Sequence, residues 1–143
     1  MNDGVRRRAD LLAVGPGGAE LDCRLELERV GPDRGFRLTA TMAGRDQIAV
    51  EAGDAFSALL QLRRLLEDAG VLIRCAGARR DVWASGMQRD MGEGLRAYVL
   101  SLPRRAERPP SVDILEPTPA ELAASVAEQE QFVKQWQQSP LAP

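Results

Sequence analysis

The run Leu21-Asp22-Cys23-Arg24-Leu25-Glu26-Leu27-Glu28 alternates apolar and charged side chains without a break. Successive strand residues point to opposite faces, so this pattern calls for a β-strand with one wet and one buried face. Phe36, Leu38, Ala40 and Met42 repeat it against Arg37, Thr39 and Thr41, and Ile48 and Val50 continue it. Gly31-Pro32-Asp33-Arg34-Gly35 and Ala43-Gly44-Arg45-Asp46 punctuate the runs with turn-forming residues, which predicts a three-stranded antiparallel meander. Residues 9–14 read as a short edge strand before it, closed by Gly15-Pro16-Gly17-Gly18.

At Asp54 the period changes from two to that of a helix. Asp54 is a good N-cap, Ala55, Leu59, Leu62 and Leu66 line one face with Phe56 and Leu60 beside them, and Gly70 supplies the C-terminal stop. Residues 71–76 are a short apolar run and read as a fourth strand of the same sheet, as do residues 95–102. Between them residues 77–94 carry neither period and read as a long structured loop or a hairpin with an elaborate tip. A Pro and Arg connector follows over 103–111, residues 112–115 suggest one last short strand, and the chain closes on a helix. Two starts compete for that helix, Thr118-Pro119-Ala120-Glu121 and Ser125-Val126-Ala127-Glu128, both with capping-box residues. A short first turn and a main helix from Ser125 to Pro140 are expected, with Trp136 plugged against the sheet. The fold class is therefore α+β: one domain over residues 1–143, with residues 1–8 and 139–143 frayed. Its antiparallel sheet has five or six strands in the order β-β-β-α-β-β-(β)-α, with both helices on one face.

The chain has no histidine. That removes Ser-His-Asp and Cys-His catalysis, imidazole bases and most zinc sites. Cys23 and Cys75 lack CxxC spacing and read as buried, reduced strand residues rather than metal ligands or a redox pair. Gly15-Pro16-Gly17-Gly18 lacks the lysine of a phosphate-binding loop. The net charge of -2 gives no field to collect nucleic acid or an anionic membrane. Of 19 basic residues only Lys134 is lysine, which fits a GC-rich bacterial genome. No apolar run is long enough to span a bilayer, and Met1 to Arg8 lacks the apolar core of a signal peptide, so a cytoplasmic location is expected. No cofactor or metal is expected.

One segment stands out by composition. From Gly77 to Gly92 it mixes glycines, the guanidiniums of Arg79, Arg80 and Arg89, and the large soft groups Trp83, Met87 and Met91, with Asp81 and Ser85 among them. Arginine and tryptophan supply a disproportionate share of interface energy. These eight residues are the candidate binding site of a non-enzymatic protein-binding module, an inhibitor, immunity-type or accessory subunit. Two functional alternatives use the same residues. Arg79, Arg80 and Arg89 would clamp a small anion, with Cys75 or Asp81 adding chemistry in an unusual enzyme. Or Trp83, Met87 and Met91 would form the self-complementary patch of a homo-oligomer. An internal reading stands beside them, in which Arg79 or Arg80 pairs with Asp81, Arg89 with Asp90 or Glu93, and the apolar groups cover the open end of the core.

The stretch from Cys75 through Gly77-Ala78-Arg79-Arg80-Asp81-Val82-Trp83 and Ser85-Gly86-Met87 to Arg89-Asp90-Met91-Gly92, with Ala97-Tyr98-Val99-Leu100 after it, resembles a family of small uncharacterised bacterial proteins. Val112-Asp113-Ile114 and the helix carrying Glu128, Gln129 and Trp136 share the resemblance. It implies that the loop is the family's distinguishing feature and brings no activity. Relatives carry Asn-Gly before the Ala-Arg-Arg and Pro-Ser-Gly after the aromatic, where this chain has Ala76-Gly77 and Ala84-Ser85-Gly86.

Overall fold

The structure, a computed structural model, describes residues 6–31 and 35–143. The alternating runs form the strands their periodicity predicts: β1 (Arg6–Val14), β2 (Glu20–Val30), β3 (Gly35–Thr41) and β4 (Ile48–Ala52). Helix α1 (Ala55–Asp68) follows, then β5 (Leu72–Ile73). These five strands make an antiparallel sheet in the order β4-β3-β2-β1-β5. Register is fixed by the buried face: Leu25 lies opposite Ala9 and Ala40, and Leu27 opposite Leu38. A slip of one residue would turn Leu25, Leu27 and Leu38 to water.

The segment before Gly15 is no edge strand. β1 sits between β2 and β5, which it pairs through Ala13 with Ile73 and Val14 with Leu72. It also begins earlier than expected. Arg6, Arg7 and Arg8 are paired with Glu28, Leu27 and Glu26, because the regular edge of β2 offers them hydrogen-bond partners; the rest of the expected frayed N-terminus, residues 1–5, lies outside the described residues. At the other end Ala142 donates to the carbonyl of Arg104 at 2.7 Å, so the expected fraying of 139–143 is also not found. Of the turn at 31–35, residues 32–34 are outside the description.

A second, three-stranded sheet holds β6 (Val82–Trp83), β7 (Arg96–Val99) and β8 (Ser111–Asp113), in that order. The strands expected at 95–102 and 112–115 are therefore real but belong to this sheet and not to the large one. The run 71–76 adds only Leu72 and Ile73 to the large sheet. After them Cys75 bridges to Pro117, and Ala76–Ala78 turn into a 3-10 helix. Between β6 and β7 lies α2 (Gly86–Asp90), and the chain ends in α3 (Val126–Gln138).

α1 packs on β3, β4 and β5, whereas α3 packs on α1 and β6. One buried cluster runs from Leu11, Leu25, Leu27 and Phe36 through Phe56, Leu59 and Leu62 to Val82, Ala97 and Ile114. α1 thus lies between the large sheet and the rest of the chain. Its ends follow the sequence: Asp54 accepts from Ser57 N at 2.8 Å, and Gly70 has φ +78°. Ser125 caps α3 in a capping box with Glu128. Thr118-Pro119 opens only the 3-10 turn Ala120–Leu122. Trp136 packs on Leu100, Phe132 and Val133 and donates to the Ser101 carbonyl at 3.1 Å, so it covers the small second cluster rather than the large sheet.

Candidate functional site

Ser85-Gly86-Met87-Gln88 folds the expected loop into a helix start. Ser85 Oγ accepts from Gln88 N at 3.1 Å, and Gln88 Oε1 accepts from Ser85 N at 2.9 Å. Ser85 is thus a cap, not a nucleophile. The signal was in the sequence, since Ser-x-x-Gln is a capping box, but five residues are too few to show a helical period.

The short helix is held from beneath. Arg89 packs against two rings, 4.9 Å from the centroid of Phe56 and 5.1 Å from that of Trp83. The rings themselves meet edge to face at 5.1 Å. Burial against them lowers the pKa of the Arg89 guanidinium, with the Asp54 carboxylate opposing the shift. Among the described residues Arg89 makes no ion pair with Asp90 or Glu93, and its buried Nε has no hydrogen-bond partner. Glu93 is taken instead by Arg29 of β2, Nη2 donating to Oε1 at 3.0 Å. The Glu93 carbonyl accepts from Ala55 N at 2.8 Å and so satisfies a free amide at the start of α1.

This anchoring decides what faces water. Met87 and Met91 project from α2 one turn apart and are 71% and 75% exposed. Trp83 is half-buried against Phe56 and does not join them. Arg79 forks onto Asp81, with nitrogen–oxygen distances of 2.9 and 2.8 Å. Exposed Arg80 stacks 4.8 Å above Phe132 of α3. The three arginines thus engage an acid, one ring and a pair of rings, which point them at different partners.

Beneath the loop lies a polar node whose role the sequence reading missed. Arg63 of α1 is 1% exposed and Gln129 of α3 is fully buried. Arg63 Nη1 donates to Gln129 Oε1 at 2.6 Å, and Nη2 to the Ala124 carbonyl at 2.9 Å. Gln129 Nε2 lies within 2.9 Å of the carbonyls of Gly77, Arg79 and Val82. One amide therefore holds the backbone of the loop where it passes between α1 and α3. Arg63 was visible as a charge on the apolar stripe between Leu59 and Leu66, a position that implies a buried partner. Nothing in the sequence pointed to Gln129 as that partner.

Both cysteines are buried thiols. Burial pushes Cys75 up to about 11, with the Arg63 charge opposing; burial raises Cys23 to about 11 as well, with Cys75 adding to the shift. Raised thiols make poor nucleophiles near neutrality. Native protein at pH 8 is expected to leave both unlabelled by 5,5′-dithiobis(2-nitrobenzoic acid), with two equivalents reacting in denaturant; fast native labelling would overturn the placement. Unfolded thiols ionise near 9 and the folded ones near 11. The folded state then holds more protons between those values, so the stability from burying neutral thiols is complete below pH 9 and falls as the pH climbs towards 11.

A concavity of about 720 Å³ lies away from the loop and includes Asp10, Cys23, Arg24, Arg74 and Thr118 in its lining. Its charges are largely spoken for: Asp10 accepts from Arg24 at 3.0 Å, and Arg74 reaches Glu20 at 3.2 Å. Among the described residues no three His, Cys, Asp or Glu side chains gather as metal ligands. Among the described residues no helix is long and apolar enough to cross a membrane. No protein-family model matches the chain and no curated protein matches it.

Proposed function

We propose that the protein is a non-enzymatic, cytoplasmic binding protein that engages another protein through the ridge of α2, as an inhibitor or accessory subunit. The observation that carries this reading is the exposure of Met87 and Met91, one turn apart on a helix fixed at both ends and from below. A pinned helix loses little conformational freedom on binding, and methionine adapts its shape to an apolar cleft. The occupant is a second kind of protein rather than another copy of this chain. Two methionines bury far less than the roughly 800 Å² that each side of a stable interface contributes, so the partner must enclose the ridge and cover the residues of this chain beside it. Its cleft should carry carboxylates at the rim, because Arg96 lines the hollow beside Gln88 and Gly92.

Replacing both methionines by glutamine is expected to abolish partner capture from the native host while shifting stability by no more than about 0.5 kcal/mol, as surface changes do. Identical captures by wild type and the double variant would overturn the reading. So would a concentration-dependent dimer that the double variant loses, since that would make the ridge a self-association face.

The anion-clamp reading draws less support. It needs Arg79, Arg80 and Arg89 to converge, and they are committed in three directions.

A further inference from the structure

Charge is unevenly distributed over this molecule. On the large sheet the arginines are neutralised by acids: Arg8 and Arg24 by Asp10, Arg37 by Glu28 and Glu51, Arg29 by Glu93 and Arg6 by Glu28. Around the small sheet Arg79 has Asp81, but other arginines go without an acid. Among the described residues Arg96, Arg105 and Arg108 have no carboxylate within ion-pair distance. Arg96 donates only to Ser111, to Oγ at 3.0 Å and to the carbonyl at 2.8 Å. These three arginines border a groove made of two adjoining hollows. A hollow of about 300 Å³ is lined by Arg96, Tyr98 and Arg108, and one of about 170 Å³ by Arg105, Arg108 and Trp136. The two share Arg108 and Pro109. Glu107 is the single acid lining either one.

We infer that this groove binds an acidic segment of a polypeptide, with carboxylate side chains seated in the two hollows on either side of Arg108. Arg105 and Arg108, without internal partners, present their planar forks to an incoming carboxylate at no cost in broken ion pairs, and Arg96 adds the part of its guanidinium that Ser111 does not occupy. The floor is kept in shape from below. Arg104 stacks 4.8 Å over Trp136 and donates to the carbonyls of Gln137 and Ser139, which joins the connector to the end of α3.

The geometry favours peptide over nucleic acid. Single-stranded nucleic acid needs open aromatic faces for its bases. Here one face of Trp136 is occupied by Arg104, and its indole N–H is spent on Ser101. Tyr98 is half-buried in β7, opposite Trp83. The hollows are separate and of side-chain size, and the net charge of -2 supplies no long-range pull on a polyanion. The groove borders the methionine ridge, but the inference does not depend on it.

The test is fluorescence anisotropy with a fluorescein-labelled peptide of alternating glutamate and glycine, its glutamine counterpart, and labelled oligothymidylate. Wild type is expected to bind the glutamate peptide and not the glutamine one, with affinity that falls as salt rises. Arg105→Gln with Arg108→Gln, both exposed and free of internal partners, should weaken binding about tenfold with an unchanged melting curve. Met87→Gln with Met91→Gln should leave it intact, which separates this groove from the ridge. No binding of the glutamate peptide by wild type would overturn the inference, as would equal binding of the glutamine peptide, tighter binding of the oligonucleotide, or an arginine double variant that binds like wild type.

Discussion

Arg63→Ala is expected to lower stability by about 4 kcal/mol, or about 12–15 °C in Tm for a chain of this length. The substitution removes the donor to Gln129 Oε1 and to the carbonyls of Ala124 and Gly77. Each acceptor is then stranded at a site too buried for water to replace the arginine, and the lost side-chain volume adds a cavity. Arg63 carries a real desolvation cost, and its pKa is lowered by burial first of all. The charge is tolerated because it is hydrogen-bonded and because Glu67 lies 3.8 Å away, one turn along the helix. Gln129→Leu should cost less, about 3 kcal/mol, since Arg63 keeps its other acceptors. The two effects should not add, because both residues share the Gly77 carbonyl and bond each other; a double-mutant cycle is expected to return about 1 kcal/mol or more of coupling. Strict additivity in thermal or urea unfolding would mean that the node is not a unit.

Gly94→Ala should cost about 3 kcal/mol, for two separable reasons. Gly94 has φ +73°, and a Cβ there would lie 2.6 Å from Asp54 Oδ1 and 2.7 Å from Phe56 N. The added methyl would push the loop off the N-terminus of α1, where Ala55 N depends on the Glu93 carbonyl. Gly18 provides the control. It has φ +81° with nothing within 4 Å of its Cβ position, so Gly18→Ala should show the conformational cost alone, about 1 kcal/mol. The difference between the two variants in Tm measures the steric part. Equal losses would show that the close approach to Asp54 carries no weight. The near-ultraviolet signal of Trp83 should weaken in the Gly94 variant, since that ring packs beside Arg89 in the same assembly.

These two residues mark the boundary of what could be read in advance. The ion pair of Arg79 with Asp81 is two residues apart, and the capping boxes at Ser85 and Ser125 three apart. Interactions of that range are written in local order, and the Ser125 box stands out because a 13-residue helix follows it, whereas only five helical residues follow the box at Ser85. Arg89 resisted the same reasoning. Its neighbours offered acids, but the fold supplied Phe56, from α1, and Trp83, and gave Glu93 to Arg29, 64 residues away. The exposure of Met87 and Met91 follows from that choice, because the face of α2 that Arg89 turns inward leaves the opposite face to water.

The sequence alone determined the strands over 20–30, 35–41 and 48–52, the helix from Asp54 to Gly70, the main helix from Ser125 and the absence of histidine chemistry. In each case a side-chain period or a cap repeats over enough residues to outweigh other arrangements. Only the tertiary structure decided that β1 is an interior strand and that 82–83, 96–99 and 111–113 form a sheet of their own. It alone decided that Arg63 and Gln129 meet, and that Arg96 of the small sheet and Arg105 and Arg108 of the connector beside it go without acids. Two- to four-residue strands carry too little periodicity to declare their partners, and a buried polar pair gains its stability from groups 66 residues apart, a distance at which a single sequence records neither side of the bond.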